Sequence, residues 1–106
     1  MIGSSAIRNA TEVLLAAAPP GSRVILFGSQ ATGRADTRSD VDFVVVEPQV
    51  HDRVREMMRL TEVLRPLRLP VDLLVLSSQT FGLWKDSPNS IAYRVAREGK
   101  DYGPTT

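Results

Sequence analysis

Apolar residues recur three and four positions apart at Ala6/Ile7, Ala10, Val13/Leu14 and Ala17, which predicts a helix over 5–18. Ser4 or Ser5 can cap it, and Pro19-Pro20-Gly21 stops it. The period then changes. RVILF, 23–27, is short, apolar and β-branched, so it predicts a buried strand. GSQATGRADTRS, 28–39, has glycines and small polar residues and no period, and predicts a loop with one helical turn opening at Ser29. DVDFVVV, 40–46, predicts a second strand, ended by Pro48. Val50, Val54, Met57, Met58, Thr61 and Leu64 then share one face of a predicted helix over 50–64. Pro66 and Pro70 bracket a turn, and VDLLVL, 71–76, predicts a third strand. Ser77 or Ser78 caps a short helix through Phe81 and Trp84. Ser87-Pro88 reads as a cap followed by proline at the first position of a last helix, lined by Ile91, Ala92, Val95 and Ala96, with Gly99 as its C-terminal cap. The tail after Tyr102 is expected to fray.

Strands alternating with helices predict an α/β (α+β) chain, a small mixed sheet of three to four strands flanked by helices. With no repeat or linker in 106 residues, 1–106 is expected to be a single domain. Composition narrows the class. The 42% hydrophobic and 24% charged content is that of a soluble globule, and a net charge of +1 gives no global field toward nucleic acid or membrane, so direct nucleic-acid binding is not expected. The absence of cysteine removes disulfides and thiolate chemistry and suits a cytoplasmic protein. No apolar run approaches the roughly 20 residues of a membrane span. The first residues loosely resemble a signal peptide, but Arg8 and Glu12 interrupt the apolar stretch and a helix is the better reading.

The chemistry is concentrated where the second strand begins. Residues i and i+2 of a strand share a face, so Asp40 and Asp42 project together while Val41 points away. Two ionised carboxylates that close repel each other unless a cation lies between them. Alone, the pair also reads as a turn residue and a solvent-facing strand residue, since short acidic motifs recur by chance. Asp72, second in the next apolar strand, adds a third acid, and charge inside a buried strand calls for a partner or a metal. If the two strands are neighbours, Asp40, Asp42 and Asp72 converge into an oxygen-donor site suited to Mg²⁺ or Mn²⁺. A single histidine, His51, and no cysteine argue against structural zinc. Upstream, Gly28-Ser29 ends one strand and opens a turn whose N–H groups and hydroxyl can face an anion, and Gly33 permits a close backbone approach. A bare strand-to-helix turn is the alternative, and no Walker A lysine follows.

Gly28-Ser29, ten residues, then Asp40-Val41-Asp42, with Asp72 on a later strand, resembles the signature of the nucleotidyltransferase superfamily that includes DNA polymerase beta. The chain looks most like its minimal nucleotidyltransferases, over roughly residues 23 to 76. The resemblance implies the nucleotidyltransferase fold, ATP as substrate and two Mg²⁺ ions, with Mn²⁺ as a substitute. It implies that Asp40, Asp42 and Asp72 hold the metals, and that Gly28, Ser29, Gly33 and Ser39 bind the nucleotide. Many members carry arginine just before the second glycine, where this chain has Thr32; either Arg34 or Arg38 supplies that charge or the triphosphate is held less tightly, and both arginines also read as solvated loop charges. Such small members often resemble the antitoxin half of a toxin–antitoxin pair. There AMP passes from ATP to a tyrosine of a helical HEPN-family toxin, and homo- or hetero-oligomers are compatible with the role. Two alternatives stay open: a non-catalytic module that neutralises its partner by occlusion, and transfer to a small molecule.

Other side chains carry weaker signals. Arg53, Arg55, Arg59, Arg65 and Arg68 interleave with Asp52, Glu56 and Glu62, the pattern of a solvated face rather than an RNA surface. Met57 and Met58 are expected to pack in the core, and Phe81 and Trp84 to pack on the sheet rather than stack on a base. Lys85 and Arg94 could reach phosphates or acceptor, but spacing alone selects neither.

Overall fold

The computed structural model describes residues 4–28 and 41–104. Its elements are α1 (Ser4–Ala17), β1 (Arg23–Phe27), β2 (Val41–Glu47), α2 (Arg53–Leu64), a 3-10 turn (Arg65–Leu67), β3 (Val71–Ser77), α3 (Ser78–Trp84), α4 (Ile91–Glu98) and β4 (Lys100–Pro104). The strands form one sheet in the order β3-β2-β1-β4. β2 and β3 run parallel, because α2 crosses back between them, while β1 lies antiparallel to both β2 and β4.

The period of two along each strand sorts the core into two layers. Val24, Leu26, Phe43 and Val45 face α1 and α2, where they meet Leu14, Leu60 and Leu64. Ile25, Phe27, Val44, Val46 and Leu76 face the other way, onto Phe81 of α3 and Val95 of α4. β2 is covered on both faces, and six of its seven residues are buried. The half-buried exception is Asp42.

Several sequence expectations need correction. Residues 100–104 form the edge strand β4 on β1, which takes in Gly103 and Pro104 of the tail expected to fray after Tyr102. KDYGP has neither alternation nor β-branching, so its strand character comes from main-chain pairing and from an Arg23–Asp101 ion pair of 2.8 Å. The helix foreseen from Val50 starts at Arg53, because the Asp52 carboxylate accepts the Arg55 N–H at 3.1 Å and so caps it. The last helix starts at Ile91, where Ser90 caps by accepting the Tyr93 N–H at 3.1 Å. Pro88 instead occupies the second position of a turn closed by the Ser90 N–H on the Ser87 carbonyl at 3.0 Å. The α2 stripe is narrower than foreseen: Leu60 and Leu64 are buried, whereas Val54 and Met58 are 62% and 67% exposed. Trp84 also stands out in solvent, while Phe81 packs as expected.

Candidate active site

Strand register assembles the site. Asp42 pairs with Asp72 across the parallel β2–β3 ladder, and with Phe27 across the antiparallel β1–β2 ladder. Neighbouring strands lie about 4.8 Å apart, so the two carboxylates stand side by side. Both fall on the α3/α4 face, in phase with Val44 and Leu74. Asp42 is half-buried and Asp72 exposed, at the end of the sheet where β2 and β3 begin. Two like charges that close in metal-free protein repel each other, which is the physical reason to expect a cation between them.

Gly28 closes the site from the side of β1. It follows Phe27 directly and has φ +81°, in the left-handed region that favours glycine. A Cβ built there would run into Oδ2 of Asp42. The chain therefore turns against the carboxylate itself, at a separation only glycine allows. Behind the acids lies a cleft of about 240 Å³, walled by Phe27, Val44, Leu74 and Ile91. The cleft thus has carboxylate oxygens at one edge and apolar carbon over most of the rest, and it was not legible from spacing. Counting register from Asp42 would have found Phe27, but Ile91 comes from a helix whose docking only the fold shows.

Of the site residues the sequence suggests, Gly28, Asp42 and Asp72 are brought together. Ser29, Gly33, Ser39 and Asp40 lie outside the described residues, as do Thr32, Arg34 and Arg38. Among the described residues no group of three acidic, histidine or cysteine side chains converges. The donors that do meet are hard carboxylate oxygens, which fit Mg²⁺ or Mn²⁺ rather than a soft metal. His51 belongs to a different cavity.

Residues 7–97 match the nucleotidyltransferase domain family. The chain belongs to that family. Three solved structures resemble this nucleotidyltransferase domain. One is a toxin–antitoxin with AMP-PNP: TM-score 0.66, 24% identity, 99% of this chain and 76% of that one covered. Another is the toxin–antitoxin MntA–HpeT in a mutant with two nearby aspartates changed to glutamate: TM-score 0.63, 21% identity, 93% and 73% covered. The third is a protein from Sulfolobus solfataricus assigned as a nucleotidyltransferase: TM-score 0.57, 25% identity, 97% and 90% covered. The curated proteins contain no match.

A second acidic feature of the domain lies at the far end of β2. Glu47 is 2% exposed, and its Oε2 makes no hydrogen bond. It borders a cavity of about 350 Å³ together with His51, Arg55, Glu56 and Arg59. Burial pushes its carboxyl up to about 8, and neighbouring Glu56 pushes in the same direction. Glu56 is held down at about 2, chiefly by hydrogen bonds from Arg59 at 2.7 and 2.8 Å. Arg59 also donates to the Ala17 carbonyl at 3.0 Å, which ties α2 to the end of α1. The two acids act with opposite sign. Glu47, raised above its unfolded value, is tolerated when neutral, so stability falls as pH rises from 4.5 toward 8. Glu56, lowered, contributes stability that is lost as pH falls from 4.5 toward 2. Melting temperatures recorded from pH 4.5 to 8.5 should therefore decline in the wild type and stay nearly level in Glu47→Gln. Parallel profiles would show that Glu47 ionises without cost.

Proposed function

We propose that this chain transfers AMP from ATP to a hydroxyl of a partner protein, most simply a tyrosine of a HEPN-type toxin that it thereby silences. The observation that carries the reading is the pairing of Asp42 with Asp72 beside the Gly28 turn, within a chain of the nucleotidyltransferase family. Two of the structures that share the fold are toxin–antitoxin proteins, one of them with an ATP analogue.

In this reading Asp40, Asp42 and Asp72 hold two Mg²⁺ ions, which when bound neutralise phosphate charge and stabilise the attacking and leaving oxygens. Gly28, Ser29, Gly33 and Ser39 would bind the nucleotide, with Ser29 and the main chain around Gly28 at the outer phosphates. The acceptor oxygen attacks the α-phosphorus. The bond from that phosphorus to the bridging oxygen breaks, and pyrophosphate leaves with the electron pair. The carboxylate of Asp72, on the open side of the site, accepts the hydroxyl proton. Phe27, Leu74 and Ile91 make the wall of the cleft beside the acids apolar. Most of the rate then comes from alignment and charge compensation.

The direct test incubates the protein with α-labelled ATP, Mg²⁺ and its helical partner. Label is expected on a partner tyrosine with the wild type and not with Asp42→Ala. An unlabelled partner, or equal labelling by the variant, contradicts the proposal. A second reading draws on a different observation: Leu83, Trp84 and Ile91 are 68%, 54% and 47% exposed on neighbouring helices, an apolar surface suited to a protein partner. Neutralisation would then be occlusion, and the double variant Asp42→Asn/Asp72→Asn would still protect cells from the partner.

A further inference from the structure

The acids alone cannot explain how a polyanion settles into this cleft. The described residues that line it include two carboxylates and no cation. The described cation tied to its wall is Arg94. Its guanidinium carbon sits 5.3 Å from the centroid of the Phe27 ring. Phe27 is the register partner of Asp42 and immediately precedes Gly28, so Arg94 rests on a side chain that neighbours the acid pair. Arg94 is three residues beyond Ile91 on α4, hence on the same helix face, and Ile91 also walls the cleft. Arg97 is engaged elsewhere, 4.6 Å from the Tyr93 ring centroid.

We propose that Arg94 grips a phosphate group of the nucleoside triphosphate and thereby holds the substrate over Asp42 and Asp72. The assignment rests on the nucleotidyl-transfer reading of the site. Three features suit Arg94 to the task. Its side chain is 62% exposed, so its donors are open to a ligand. Its ion pair with Glu98 is long, 3.8 Å, and yields readily to a phosphate. The contact with the Phe27 ring uses the face of an aromatic and not a hydrogen-bond acceptor, so it leaves the guanidinium N–H groups available for a fork on phosphate oxygens. An aromatic seat of this kind lowers the entropy lost on binding, since the side chain is already oriented. Arg94 is in this account a substrate-binding residue and takes no part in proton transfer.

The test compares wild type with Arg94→Met, which keeps an apolar stem over Phe27, and with Arg94→Lys, which keeps charge without the fork. Binding of Mg·ATP and of inorganic tripolyphosphate with Mg²⁺ is measured by calorimetry, and melting temperature reports the fold. Arg94→Met is expected to melt close to wild type and to bind both ligands about ten- to a hundredfold more weakly, with Arg94→Lys between. The salt dependence of binding should also become shallower in Arg94→Met. Unchanged affinity for ATP in Arg94→Met overturns the assignment, even if transfer to a partner falls, because the arginine would then serve the acceptor. Weaker ATP binding with unchanged tripolyphosphate binding overturns it as well, since the contact would not be to phosphate. A wild-type chain that binds neither ligand overturns the nucleotide site as a whole, whereas normal wild-type binding with an indifferent Arg94→Met removes only this step.

Discussion

Asp42→Asn is expected to leave the protein at least as stable as wild type while lowering nucleotidyl transfer by about two to three orders of magnitude, the loss typical of removing one group that stabilises transition-state charge. The two effects have one cause. Asp42 and Asp72 face each other across adjacent parallel strands, and without metal their like charges work against the sheet. Asparagine keeps the shape of the side chain and one oxygen acceptor but removes that repulsion, so stability is expected to rise by up to about 1 kcal/mol. It also removes an anionic ligand from the proposed metal site. Chemical denaturation in EDTA, paired with a single-turnover transfer assay, measures both. A variant that is destabilised and fully active would mean that Asp42 is an ordinary strand residue. Opposed changes in stability and activity are the mark of a position kept for function at the expense of the fold.

Gly28→Ala is expected to damage both properties together. At φ +81° any Cβ is strained, at a cost of about 1–3 kcal/mol. In a domain of this size each kcal/mol lowers the melting temperature by about 4–8 °C. The new methyl would also displace the Asp42 carboxylate it meets, so nucleotide affinity should fall too. Gly21→Ala is the matched control. Gly21 has φ +86°, but its Cβ would meet Pro48, away from the acids. Both alanines should lower the melting temperature, and only Gly28→Ala should weaken Mg·ATP binding. Equal nucleotide affinity in the two variants would show that the close approach of Gly28 to Asp42 has no functional role.

The parts of this fold that sequence foretells are those whose side chains carry a period. RVILF, DVDFVVV and VDLLVL announce buried strands because both faces of each are covered, and the α1 spacing announces its stripe. The acid pair was foreseeable for the same reason: an aspartate inside such a run is costly unless something pairs with it. Features set by tertiary context alone could not be foreseen. β4 gains its pairing from β1, and its own residues give no strand signal. Val54 and Met58 lie on the predicted helical face, yet α1 and the sheet reach only as far as Met57, Leu60 and Leu64. Glu47 falls just past the strand predicted over 40–46, and only its enclosure beneath α2 reveals a buried acid. The seat of Arg94 on Phe27 depends on how α4 docks, which no local spacing encodes.

The central claim is that Asp42 and Asp72 form one divalent-cation and triphosphate site against the turn at Gly28. Crystals grown with AMP-PNP and Mn²⁺, with anomalous data collected at the manganese edge, test it most directly. The account predicts anomalous peaks within coordination distance of both carboxylates, with the phosphates lying between them and Gly28. Manganese bound elsewhere, or nucleotide seated with neither carboxylate touching a metal, would contradict it.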